Sequence, residues 1–157
     1  MKLIILTVLS MAYYCNAYSG GAPKEVCNDM TPKHPVDPQK SPLPYKITVN
    51  KNQVKGGQQV AISINGRSFK GLLVQVRKAN EATGEFVVSA SDKYFKTVDC
   101  HDTPRSALTH KNSADKINKT VVWKAPTTPG KYTVHVTVAE DGETFWANVP
   151  TQVINVF

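Results

Sequence analysis

Three cysteines, four histidines and twelve acidic side chains are the groups in this 157-residue chain with the intrinsic capacity for nucleophilic, metal or acid–base chemistry. His34, His101, His110 and His135 never fall at zinc-ligand spacing, and no GxSxG, HExxH, P-loop or GxGxxG pattern occurs. The carboxylates are dispersed, and no pair stands out as acid and base. A binding protein without metal or cofactor is therefore expected, not an enzyme. Cys15 belongs to an N-terminal segment built like a secretory signal. Lys2 precedes a mostly apolar run from Leu3 to Tyr14, with Ala17 and Cys15 at the small-residue cleavage positions. Residues 1–17 are expected to be removed; as a helix the apolar run would cover only about 18 Å, too short for a hydrocarbon core of ~30 Å, so no membrane span is expected. Cys27 and Cys100 then remain, and in an oxidising compartment a lone pair reads most simply as a disulfide; a nucleophilic thiol would need an activating base that nothing here supplies.

Charge placement is more informative than these groups. Lys and Arg outnumber Asp and Glu by 19 to 12, giving a formal charge of +7 from which Lys2 departs with the leader. Between Pro38 and Asn80 there are eight basic residues and no acidic one, and residues 104–139 repeat the bias. Lys46, Arg67, Lys70, Arg77 and Lys78 are the candidate anion-binding set if their side chains share one face. The bland alternative is that they solvate an outer face and disfavour edge-to-edge pairing. For an exported protein the sign points to phosphorylated microbial envelope polymers, sulfated glycans or anionic lipid headgroups, with nucleic acid excluded by compartment. Asn118-Lys119-Thr120 is the single N-x-[ST] sequon, making Asn118 a candidate glycan acceptor. Trp123 and Trp146 suit the core or its rim, although Phe145-Trp146 could also offer a sugar platform.

These side chains must be positioned by strands. An apolar content of 41% and a charged content of 20% are ordinary globular values. Six prolines between residues 23 and 44 preclude helix or central strand there and define an irregular N-terminal arm, which Cys27 would pin to the body. Beyond Pro44 apolar residues alternate with polar ones: Ile47 and Val49, then Val60, Ile62 and Ile64, then Leu72, Val74 and Val76 with Gln75 and Arg77 opposite. Asn65-Gly66 predicts a two-residue hairpin, Thr83-Gly84 a turn into Glu85–Ser91, and Asp141-Gly142 a second hairpin. Strands are also expected over Thr120–Lys124, Tyr132–Val138, Thr144–Val149 and Gln152–Phe157, with Pro126–Gly130 as a turn. Residues 104–118 could hold a short helix or an irregular crossover. Tyr132 is either a tyrosine corner before a penultimate strand or an ordinary half-buried strand residue. Short strands without an amphipathic helix predict an all-β, immunoglobulin-like β-sandwich, one domain over residues 18–157.

The segments Tyr18–Pro23, Cys27–Met30 with Pro32 and His34, Phe69–Arg77, Val98–Cys100, Ala107–His110, Val122–Pro126 and Phe145-Trp146 together resemble the reeler domain, over essentially the whole mature chain. The stand-alone arrangement is most similar to the insect putative defense proteins and noduler-like proteins of moth haemolymph. The resemblance implies an immunoglobulin-like sandwich, secretion into haemolymph and a role in innate immunity. That role would be binding of lipopolysaccharide or lipoteichoic acid and of haemocytes, promotion of nodulation and an antimicrobial effect. An adhesion module for sulfated glycans or a cell-surface receptor is the alternative. The family supplies no catalytic residue; its larger members add adhesion modules or haem-bearing membrane segments, neither of which is recognised in these residues, so redox activity and matrix scaffolding are not expected.

Overall fold

The computed structural model describes residues 18–157; the leader assignment falls outside them. A short 3-10 turn, Lys24–Val26, is followed by eleven strands: β1 Lys46–Val49, β2 Gln53–Val54, β3 Gln59–Asn65, β4 Gly71–Lys78, β5 Glu81–Ala82, β6 Glu85–Val87, β7 Phe95–Cys100, β8 Thr103–His110, β9 Lys119–Lys124, β10 Gly130–Ala139 and β11 Phe145–Val156. They form two sheets. Sheet I has the order β1-β3-β9-β6, and sheet II the order β2-β11-β10-β4-β8-β7 with β5 also paired to β4. The all-β sandwich expected from alternation is what the chain forms.

Between the sheets lies one core of β-branched and aromatic side chains, among them Ile62, Ile64, Val74, Val76, Trp123, Tyr132, Val134 and Val136. β3 shows the half-buried pattern cleanly, Val60, Ile62 and Ile64 being buried while Gln59 is exposed. The Tyr132 hydroxyl donates to the Thr128 carbonyl (2.7 Å), the bond of a tyrosine corner. Trp123 and Trp146 are both buried, the former donating through its indole N–H to Thr83 O (2.8 Å).

Three local expectations change. Asn65-Gly66 does not close a hairpin: β3 pairs with β1 and β9, whereas β4 pairs with β10, β8 and β5. Gly66 has φ +128°, but Asn65 is absent from the positive-φ residues, so the two left-handed positions of a type I′ turn are not both present. Crossing instead to the opposite sheet lets the apolar rows of β3 and β4 face a common core. Residues 104–118 contain no helix, for β8 runs from Thr103 to His110 as a strand of sheet II. β7, its neighbour, had no counterpart in the sequence reading. Asp141-Gly142 does lie in a hairpin, with a five-residue loop between Ala139 and its partner Phe145. The Asp141 carboxylate caps that loop by accepting from the N–H groups of Glu143 and Thr144 (2.9 and 2.7 Å). The two terminal strands expected after it are one, β11, with register shifts opposite Val134 and Thr137.

Candidate functional site

The outer face of sheet II is not a solvent face. Residues 18–44 cross it as a third layer, from β8 over β4 and β10 to β11, and β4 is consequently buried on both sides from Leu72 to Arg77. Turns satisfy part of this arm's backbone, as where Met30 N–H donates to Val26 O (2.8 Å), and side chains of the sheet supply further partners. Thr109 Oγ1 accepts from Ala22 N–H (2.9 Å), and Thr137 Oγ1 donates to Met30 O (2.7 Å). Gln75 Nε2 donates to Cys27 O (3.0 Å), while Arg77 donates to Cys27 O, Asn28 O and Gln75 Oε1 (2.7, 2.9 and 2.7 Å). Farther along, Trp146 Nε1 donates to Ser41 O (3.0 Å). The Cys27–Cys100 disulfide closes beneath the arm, in a second small core with Val26, Met30, Leu73, Ala82 and Ala107.

Arg77 therefore leaves the candidate anion-binding set. It is only 5% exposed, and its guanidinium is used by backbone carbonyls. Burial pushes its pKa down, opposed by the nearby Asp29 carboxylate. Arg67 is exposed but donates to Glu140 (3.0 Å). Lys46, Lys70 and Lys78 are exposed but do not meet: Lys46 lies on sheet I, and Lys70 and Lys78 bracket β4, about 26 Å apart at the usual rise per residue. Lys78 Nζ donates to Pro129 O (3.2 Å) and lies 5.7 Å from the Tyr132 ring centroid. Lys116, counted with the basic excess of 104–139, is buried as well. Its ammonium donates to the carbonyls of Lys70, Asn112 and Ala114 (2.8, 2.9 and 2.7 Å), and Arg105 pairs with Glu85.

What the fold does assemble is a lysine-bearing end. The loop 50–58 and the segment 124–131 meet at the foot of the sandwich, where Gly57 N–H donates to Ala125 O and Ala125 N–H donates to Gln58 O (3.0 and 2.8 Å). Lys51, Lys55, Lys124 and Lys131 are all exposed there, with Lys78 against Pro129, and neither segment contains an acid. The nearest acids by register are Glu85, opposite Lys124 and engaged by Arg105, and Glu81, opposite Lys78.

At the other end, arm and sheet II enclose a mostly apolar cavity of about 210 Å³. Its floor is Leu73 with the cross-strand pair Gly71 and Ala139, and its wall is Val26, Met30, Pro32 and His34 of the arm. Gly71 and Ala139 are the smallest side chains available to that row; a Cβ on Gly71 would stand 3.0 Å from the Ala139 methyl. Lys70, Asp141, Ser113 and Tyr18 border the cavity. At His110, also on the border, Leu72 N–H donates to Nδ1 (3.1 Å) and Nε2 donates to Tyr18 O (3.0 Å); burial lowers its pKa, opposed by the carbonyl oxygens of Leu72 and Tyr18. His34 packs edge-on against Phe145 (5.1 Å between centroids), and its Nδ1 is buried with no hydrogen-bond partner. Among the described residues no group of three or more His, Cys, Asp or Glu side chains is placed to hold a metal, and no helix is long and apolar enough to cross a membrane.

A two-sheet sandwich with a tyrosine corner and a disulfide-tethered arm defines an immunoglobulin-like β-sandwich module. Comparison with known proteins makes this specific. The family model of the Reeler domain matches residues 25–157, and the chain belongs to that family. It is 36% identical over 149 residues to Putative defense protein Hdd11 of Hyphantria cunea, covering 90% of each chain. It is also 28% identical to Ferric-chelate reductase 1 of Homo sapiens, covering 96% of this chain but 26% of that protein. The solved human F-spondin reeler domain (fragment 1) superposes with a TM-score of 0.60 at 12% identity, covering 82% of this chain and 98% of that one.

Proposed function

We propose that the protein is a secreted, non-enzymatic defense protein that holds anionic microbial envelope polymers, such as lipopolysaccharide or lipoteichoic acid, at its lysine-bearing end. Membership of a family with a relative named a defense protein supports the general role. The observation that carries the binding mode is the meeting of loop 50–58 with segment 124–131, which presents Lys51, Lys55, Lys124 and Lys131 without an acid in either stretch. A repeating phosphate polymer can engage several such ammonium groups at once, each as a point charge, and the attachment weakens as salt screens it. Lys46 and Lys70 sit elsewhere and can contribute only to a polymer long enough to wrap the molecule. Asn118 is exposed at the opposite end, so a glycan there would leave these lysines uncovered. Haemocyte binding and nodulation would follow from cross-linking of coated particles.

The test is binding of the purified protein to lipopolysaccharide and lipoteichoic acid at two salt concentrations, with the triple variant Lys55→Glu, Lys124→Glu, Lys131→Glu alongside. Affinity should fall about tenfold or more with the variant and with added salt. Equal binding by both proteins at both salt concentrations, for each polymer, rules out the lysine end as the binding site. Heparin displacing the protein from haemocytes but not from bacteria would instead favour an adhesion module for sulfated glycans.

A further inference from the structure

We infer that the cavity between the arm and sheet II is a binding site for a single medium-length acyl chain carrying an anionic head group, with the tail inside and the head at Lys70. Four observations meet there. The lining is mostly apolar and the volume, about 210 Å³, exceeds that of a cavity known to take benzene, so about eight carbons fit. The hollow is built into the sheet by the Gly71–Ala139 pair, while Met30 is fixed above it through its carbonyl bond to Thr137. His34 contributes a ring nitrogen that is buried and unpartnered in the wall, a donor or acceptor left over by the protein itself.

The fourth observation is the charge at the border. Lys70 is exposed, its backbone is fixed on both sides by Ala139 O and the Lys116 ammonium, and no acid lies within ion-pair distance of its Nζ among the described residues. Asp141 shares the border, but its carboxylate is already turned to the amides of Glu143 and Thr144. A carboxylate or phosphate head therefore finds the Lys70 ammonium at the border, and a hydrocarbon tail finds a mostly apolar slot whose dimensions limit its length. This site is at the opposite end of the sandwich from the lysines proposed to hold polymers, and neither claim requires the other.

Protein secreted from cells expressing the full chain is used, its N-terminus checked by mass spectrometry. Calorimetric titration with butanoate, hexanoate, octanoate, dodecanoate and octanol is followed together with the Met30 methyl resonance. Saturable one-to-one binding is expected, tightening about threefold to fourfold per methylene and levelling off near eight carbons, with the Met30 methyl shifting. Lys70→Gln, an exposed change that leaves the fold alone, should weaken octanoate about fivefold and octanol by less than a factor of two. Ala139→Leu, which fills the slot, should abolish both. The inference is overturned if octanoate does not saturate, if the Met30 methyl does not move, or if octanol and octanoate bind alike and ignore Lys70→Gln. Lipid A and free octanoate competing for the site would identify the acyl chain's source as the envelope; octanoate binding with no lipid A competition would identify free acids as the source. Loss of polymer binding in the lysine-end variant with octanoate binding intact separates the two claims.

Discussion

The two outer faces of the sandwich carry similar residues and meet different fates. On sheet I, Thr48, Ser63 and Thr120 lie side by side across β1, β3 and β9, with Ser63 and Thr120 sharing a hydroxyl contact (2.9 Å), and the face stays open to solvent. On sheet II, Gln75, Arg77, Thr109 and Thr137 occupy equivalent outward positions and are all buried. The difference is the proline-rich arm, whose own turns satisfy only part of its backbone and which recruits those four side chains as further hydrogen-bond partners. A polar residue at an outward strand position is thus a solvating group on one sheet and a structural anchor on the other. Arg77 is the sharpest case, since its charge serves carbonyl oxygens and not an external anion.

Breaking the tether should show the contrast most strongly. Replacing Cys27 and Cys100 by Ser removes a cross-link over a long loop and should cost about 4 kcal/mol in denaturant unfolding, while amide exchange rises along the arm before it rises in sheet I. Next in size, Arg77→Met takes the donor from Asn28 O and Gln75 Oε1, leaving Cys27 O with Gln75 Nε2 alone, and should cost about 3 kcal/mol, with no loss of polymer affinity in protein that remains folded. A selective loss of polymer binding would restore Arg77 to the anion site. Lowering the pH should weaken the same side of the molecule. Burial holds the His110 pKa below that of an unfolded histidine, so the unfolded chain binds the proton more readily. The stability present above about pH 6.5 is therefore lost as pH falls toward the lowered value, with a slope no steeper than about 1.4 kcal/mol per pH unit. His135, lowered chiefly by burial too, contributes in the same direction, and His110→Asn should flatten only its own share of the slope. The smallest effect is expected on the open face, where Lys46→Gln should change stability by less than about 0.5 kcal/mol.

How much could be read beforehand follows the same division. Where one face is solvated, as in β3, alternation exposed the strand, while for Tyr132 the sequence left a corner and an ordinary strand position both open and the bond to Thr128 decides for the corner. The disulfide was legible because assigning Cys15 to the expected leader leaves Cys27 and Cys100 as the one pair. β4 gave its apolar row correctly, but nothing local says that Gln75 and Arg77 are roofed over, since the roof lies more than forty residues upstream. β8 was undecidable because Ser106 to Thr109 are buried on both sides and show no alternation. The Asn65-Gly66 expectation failed because a turn-prone dipeptide fixes a change of direction and not which sheet receives the next strand. The cavity left no sequence signal beyond small residues at 71 and 139, which meet only through the β4–β10 register. Lys116 looked like any surface lysine; its three carbonyl partners come from the loop it terminates and from the β4 approach.

The claim on which the rest depends is that residues 18–44 form a layer of the folded domain, fixed by sheet II side chains. Native-state hydrogen exchange of the Ala22 and Met30 amides, bonded to Thr109 Oγ1 and Val26 O, tests it directly. Protection within about 2 kcal/mol of the slowest β10 amides, falling in Arg77→Met while sheet I amides keep their relative rates, is the predicted result. Exchange of those two amides at the rate of an unstructured peptide, with β10 still fully protected, would contradict it.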